Sequence, residues 1–127
     1  MPNANRNAGD YFERSTKAAL DAVGFWVIRA AGSFGVADVV AMRARSAPLL
    51  IACKTNGVLP RAEREALVEA AQKAGARPVL ATRSRRGWVD LYTVDKYGAK
   101  PLSSLKVPSR SSDGSPAEQE NDDDESK

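Results

Sequence analysis

The sequence predicts an α/β fold: a single central mixed β-sheet flanked by helices, in the order α-β-β-β-α-β-β. Three observations carry this expectation. Two stretches show helical periodicity, five short apolar runs have strand length, and the second helix falls between the third and fourth of those runs. A hairpin followed by a helical crossover to another strand implies a mixed sheet with helices packed on its faces.

From about Asp10 to Val23, the residues Phe12, Ala19, Leu20 and Val23 fall on one face of a helix. Asp10 is placed to cap it, with Glu13 three residues on in a capping-box pattern, and Gly24 is a natural stop. Phe25 to Ile28 reads as the first strand. Val36 to Met42 and Leu49 to Lys54 read as the second and third, joined as a hairpin across Arg43–Ala47. Asn56-Gly57 breaks the pattern. Pro60 opens a second helix that runs to about Ala74, with Leu67, Ala70, Ala71 and Ala74 inward and Gly75 as its stop. Arg77 to Thr82 is the fourth strand. Trp88 to Val94 is the fifth, after a basic turn containing Arg83, Arg85 and Arg86.

At 127 residues the chain fits one domain with one modest core. The last twenty residues are mostly Ser, Asp, Glu and Pro, with almost nothing to bury. The expected organisation is therefore a folded domain over 1–107 and a disordered acidic tail over 108–127. The net charge of +3 divides accordingly: 17 Lys+Arg against 9 Asp+Glu in 1–107, and 2 against 7 in the tail. A basic domain points to a polyanion partner, and an acidic tail competes for the same surface. No apolar run approaches the roughly 20 residues that span a bilayer, and the opening MPNANRNAGD lacks an apolar signal segment, so a cytoplasmic location is expected. One cysteine and no histidine exclude an internal disulfide, the usual zinc patterns and any imidazole base. Catalysis would have to use carboxylate, lysine, hydroxyl or metal.

Those groups concentrate between Arg29 and Lys54. A glycine-rich turn, Gly32-Ser33-Phe34-Gly35, leads into an apolar run holding one acid, Asp38; a second apolar run ends on Lys54. Adjacent strands arranged this way can bring acid and amine together, and with a divalent metal these are the parts needed for phosphodiester hydrolysis. Asp38 inside Val36–Val40 must find a cation, a donor or water; metal coordination is one solution and a salt bridge to Lys54 or Arg29 is another. Ser33 and the turn glycines either offer N–H groups to a phosphate or simply make the turn. Strand alternation puts Ala52 and Lys54 on one face and Ile51 and Cys53 on the other. A strand-end lysine that only reaches solvent is the plain alternative for Lys54.

These residues, taken in order, resemble the archaeal-type Holliday junction resolvases, within the restriction-endonuclease-like nuclease group whose motif runs acid, then Glu-X-Lys. The resemblance spans roughly residues 7–97. It rests on Gly9, Glu13-Arg14, Gly24-Phe25, Arg29, Gly32-Ser33-X-Gly35, Asp38, Lys54, Gly75-X-X-Pro78-Val79-Leu80-Ala81 and Gly87-Trp88. It implies a restriction-endonuclease-like fold and a Mg²⁺-dependent endonuclease (Mn²⁺ a substitute) acting on branched double-stranded DNA. It also implies that Glu13 and Asp38 hold the metal with the Cys53 backbone carbonyl, and that Lys54 assists the attacking water. The resemblance departs at Ala52, where the family has its third acid. Glu63 and Glu65 on the second helix are candidates to replace that acid, and two carboxylates, a carbonyl and waters are a feasible Mg²⁺ set without it.

Arg14, Lys17, Arg29, Ser33, Arg43, Arg45 and Arg61 flank the site as candidate DNA contacts. Scattered arginines with few aromatics favour contact with the phosphate backbone over base reading. A symmetric junction needs two cuts, which favours a homodimer. The alanine-rich composition and abbreviated site fit a phage-borne member. Two other readings stand beside this one: a catalytically silent branched-DNA-binding protein, and a nuclease of the same fold acting on flaps, nicks or single strands.

Overall fold

In the computed structural model the described residues are 4–30 and 36–108, with side chains from Tyr11 onward. They form α1 (Ala4–Ala22), β1 (Trp26–Arg29), β2 (Val39–Met42), β3 (Leu49–Cys53), α2 (Arg61–Ala74), β4 (Arg77–Thr82), β5 (Trp88–Asp95) and β6 (Gly98–Lys106). The six strands lie side by side in chain order. Every neighbouring pair is antiparallel except β3 and β4, which run parallel. A parallel pair needs a long crossover, and α2 supplies it. No described helix is long and apolar enough to cross a membrane.

Side-chain alternation divides β3 between two cores. Leu49 and Ile51 join the larger one beneath α1, with Phe12, Leu20, Val39 and Val79, and Cys53 packs against it. Ala52 joins a smaller cluster with Ala37 and Leu67 of α2, against which Leu50 and Leu59 pack. The predicted split of Ala52 from Ile51 and Cys53 therefore holds, and each face has its own helix.

The first helix differs from the sequence expectation at both ends. It starts at Ala4, so Asp10 lies inside it and cannot be its N-cap. Phe12, Ala19 and Leu20 are buried as predicted, but Val23 is 45% exposed because the helix ends at Ala22 and the chain turns through Gly24 at φ +99°. Thr16 fills the remaining inward position, its hydroxyl satisfied by donating to the Phe12 carbonyl at 2.9 Å. The second helix matches more closely. Pro60 precedes it, and Gly75 ends it in the left-handed region, its N–H reaching Ala71 O and Gln72 O. Its buried residues are Leu67 and Ala71 alone; Ala70 is half-buried and Ala74 exposed, so the apolar stripe is narrower than predicted.

The sixth strand is an element the sequence reading lacks. Asp95 Oδ1 accepts from the backbone N–H groups of Tyr97 and Gly98 at 2.8 and 2.9 Å, turning the chain back as a hairpin. GAKPLSSLK is mostly exposed and shows no apolar alternation, which is how a sheet edge is kept from pairing with another chain. The predicted tail beyond residue 108 lies outside the described residues.

Candidate active site

Asp38 sits where β2 begins. Its N–H donates to Ile51 O at 2.8 Å, although Ile51 is already the register partner of Val39. That bond is off the Val39–Ile51 register, and the regular β2–β3 ladder goes no further. Here the Asp38 carboxylate swings into the ladder, and Oδ2 accepts the Cys53 N–H at 2.8 Å. The opposite edge of the same strand stays paired, through Lys54 N to Ala81 O at 2.9 Å. This bond from a backbone N–H holds the carboxylate at the end of the sheet.

Lys54 follows immediately. Its ammonium meets Glu63 of α2 at 2.8 Å, with the side chains 31% and 47% exposed. The salt bridge from Lys54 to Asp38 that the sequence left open is therefore not the arrangement found; its acid partner is Glu63. Ala52, on the same face, is 3% exposed and packs with Leu67 and Ala37.

Glu13 enters from the α1 side. With Asp10 inside the helix, the capping-box explanation for Glu13 falls, and its carboxylate instead takes a bond from the Arg29 guanidinium at 3.2 Å. Between these groups lies the partly buried Cys53 thiol, 3.9 Å from Thr16 Oγ1. Burial, and then the negative charge of Asp38, push the thiol up to about 12, with Glu13 adding to the rise and Thr16 and Arg29 opposing it. Asp38 is fixed to residue 53 by its bond to the N–H, and α1 reaches the same residue through Thr16, three residues from Glu13. Thr16 is the site neighbour that sequence reasoning missed; a hydroxyl one turn from Phe12 on the inward stripe was the available signal.

The raised thiol gives a pH prediction. Below about pH 9 the thiol is neutral whether the chain is folded or not. Above that the unfolded chain releases the proton first, so stability contributed by the neutral thiol is lost between the unfolded value and about 12. Alkylation of native protein should be slow at pH 8 and should speed up sharply in denaturant. Equal rates would mean an accessible, ordinary thiol.

The candidate DNA contacts scatter around this centre. Lys17 pairs with Asp21 at 2.9 Å and Arg61 with Glu65 at 3.0 Å. Arg43 lies over the Phe25 ring at 4.2 Å and donates to Val23 O at 3.4 Å, and Arg45 takes a positive φ of 65° in the β2–β3 turn. Arg14 is exposed on α1, Arg29 is committed to Glu13, and Ser33 lies outside the described residues. Exposed ion pairs contribute little, so such arginines can exchange carboxylate for phosphate at small cost. A second basic surface surrounds the turn before β5, where Arg83, Ser84, Arg85 and Arg86 line a hollow and Arg85 stacks on Trp88 at 4.1 Å. Asp90 braces that turn. It accepts from the Ser104 hydroxyl at 2.7 Å and from the Ser84 hydroxyl and N–H, bonds that lower its pKa.

Among the described residues no three histidine, cysteine or acidic side chains converge as a ready metal cage. The donors present around residue 53 are carboxylate oxygens, the hard ligands that Mg²⁺ accepts in small number while keeping waters.

Comparison with known proteins bears on what this arrangement is for. The family model for archaeal Holliday junction resolvases (Hjc) matches residues 4–117. The chain belongs to that family. Among solved structures, Archaeoglobus fulgidus Hjc, described as a Holliday junction resolvase from an archaeal hyperthermophile, superposes with a TM-score of 0.62 at 26% identity. The alignment covers 78% of this chain and 96% of that one. No curated protein matches. The Hjc match covers both helices and the whole sheet, which fits the α/β architecture expected from the resemblance.

Proposed function

We propose that this Hjc-family chain is a structure-selective DNA endonuclease that resolves four-way junctions by Mg²⁺-dependent phosphodiester hydrolysis, working as a homodimer. The observation that carries the reading is the family match across both helices and every strand. The placement of Asp38 and Lys54 at adjoining strand ends supports it from the side of chemistry. In this reading Glu13, Asp38 and the Cys53 carbonyl hold the metal. A bound divalent cation lowers the pKa of water and stabilises charge developing on the phosphate. Lys54 orients the attacking water by donating to it, and the arginines bind flanking phosphates.

Cleavage of a labelled four-way junction with Mg²⁺ or Mn²⁺, run beside linear, flapped and nicked DNA, tests this proposal. Cutting confined to the junction supports resolution; cutting of another structure moves the protein to another substrate. A specific observation favours a second reading, a silent junction-binding protein: the Ala52 side chain has no ligand atom, and among the described residues no three-ligand group is formed. Tight junction binding without cleavage in either metal would establish that alternative.

The acidic tail adds a prediction about binding. Deleting residues 108–127 removes seven acids and two basic residues from a chain whose remainder is strongly basic. Junction affinity should rise several-fold at about 50 mM salt and change little at about 300 mM, where the Debye length is short. Equal affinity at low salt would remove any competing role for the tail.

A further inference from the structure

Every carboxylate near Asp38 and Lys54 bears on how a chain with Ala52 completes its acid set, and one of them is placed for it. Glu63 and Leu67 are four residues apart on α2 and share one helix face. Leu67 packs in the cluster that contains Ala52, so this face of α2 covers the face of β3 on which Ala52 lies. Glu63, one turn nearer the helix N-terminus, therefore projects over the end of β3, where its carboxylate meets Lys54 Nζ at 2.8 Å. Glu65 has the wrong direction: two residues along the helix from Glu63, it pairs with Arg61 on an exposed surface.

We propose that Glu63 supplies from α2 the carboxylate that β3 lacks at Ala52, swinging from Lys54 onto the same divalent cation as Asp38; in the metal-free arrangement no three acidic side chains among the described residues converge. The inference rests on the metal-site reading of Asp38. Three features of the chain support it. Ala52 is a methyl group beneath Leu67 and offers no donor. The Glu63 carboxylate reaches the position two residues further along the same strand face. The pair it forms is partly exposed, so water and a cation can enter, and such a pair contributes little stability to be lost when Glu63 changes partner. Lys54 then holds Glu63 in place in the metal-free protein and is freed when a cation takes over the carboxylate.

The alternative role for Glu63 is to position Lys54 without touching the metal. A calorimetric titration of the full chain with Mn²⁺, without DNA, separates the two. Metal affinity depends on the number of charged ligands, so Glu63→Gln should weaken Mn²⁺ binding by about tenfold, and Asp38→Asn should weaken it further. The deciding comparison is Lys54→Met against Lys54→Met with Glu63→Gln. A direct ligand costs the same factor without the lysine, whereas an effect passed through Lys54 disappears in that background. Thermal melts without metal establish that each variant is folded. Unchanged Mn²⁺ affinity in Glu63→Gln, or a loss that vanishes in the Lys54→Met background, overturns the proposal while leaving Asp38 as a ligand. If Asp38→Asn binds Mn²⁺ as wild type does, the metal-site reading itself fails and takes this inference with it.

Discussion

Asp38→Asn and Lys54→Ala should each abolish junction cleavage while leaving junction binding within a few-fold of wild type. The asparagine keeps an oxygen for the Cys53 N–H, so the sheet end persists. What it removes is the negative charge. Metal assistance is worth several kcal/mol, and a loss of about 4 kcal/mol is about a thousandfold in rate. The lysine variant removes the ammonium proposed to orient the attacking water and leaves Glu63 without its Lys54 partner. Binding survives because the proposed phosphate contacts belong to arginines on other elements. Gel-shift titration and single-turnover cleavage on one junction measure both quantities. Cutting by either variant at the wild-type rate would place the chemistry elsewhere.

The features of this chain that were legible in sequence are those set by local chemistry. Gly75 had to end a helix because its position takes a left-handed φ of 65° and the run of helix formers stops just before it. Arg77 to Thr82 had to be a strand because it is a short apolar run between breakers, and its bounds agree to the residue. Lys54 stood out because it ends an otherwise apolar strand. The less legible features depend on partners distant in sequence. No local pattern distinguishes an Asp38 that follows strand alternation from one whose carboxylate takes a backbone N–H where the ladder ends. The early start of α1 was hidden by a capping box whose acid is inside the helix. The last strand, β6, was hidden because edge strands avoid the alternation by which strands are found. Ala52 shows both cases. Its face followed from alternation, but its burial did not, because that depends on Leu67 arriving from a separate element.

That burial sharpens what restoring the acid should do. Ala52→Glu places a carboxylate on the face shared with Lys54, at a position that is 3% exposed beneath Leu67 and Ala37. Without metal, the added volume and the extra negative charge near Asp38 should destabilise the fold by about 1–3 kcal/mol. The new side chain can relieve part of that by extending along β3 toward Lys54, where it competes with Glu63 for the ammonium. Metal changes the balance because it binds only the folded form. The added carboxylate should raise metal affinity, and a gain of about 1.4 kcal/mol would lower the Mg²⁺ needed for half-maximal cleavage about tenfold. The expected result is therefore a pair of opposite shifts: a lower melting temperature than wild type in chelator, and a larger rise on adding Mg²⁺. Lower stability alone would mark Ala52 as a packing position with no path to the metal. Both shifts together in a chain whose wild type shows no metal response would identify the native protein as the silent binder, its chemistry removed by a single alanine.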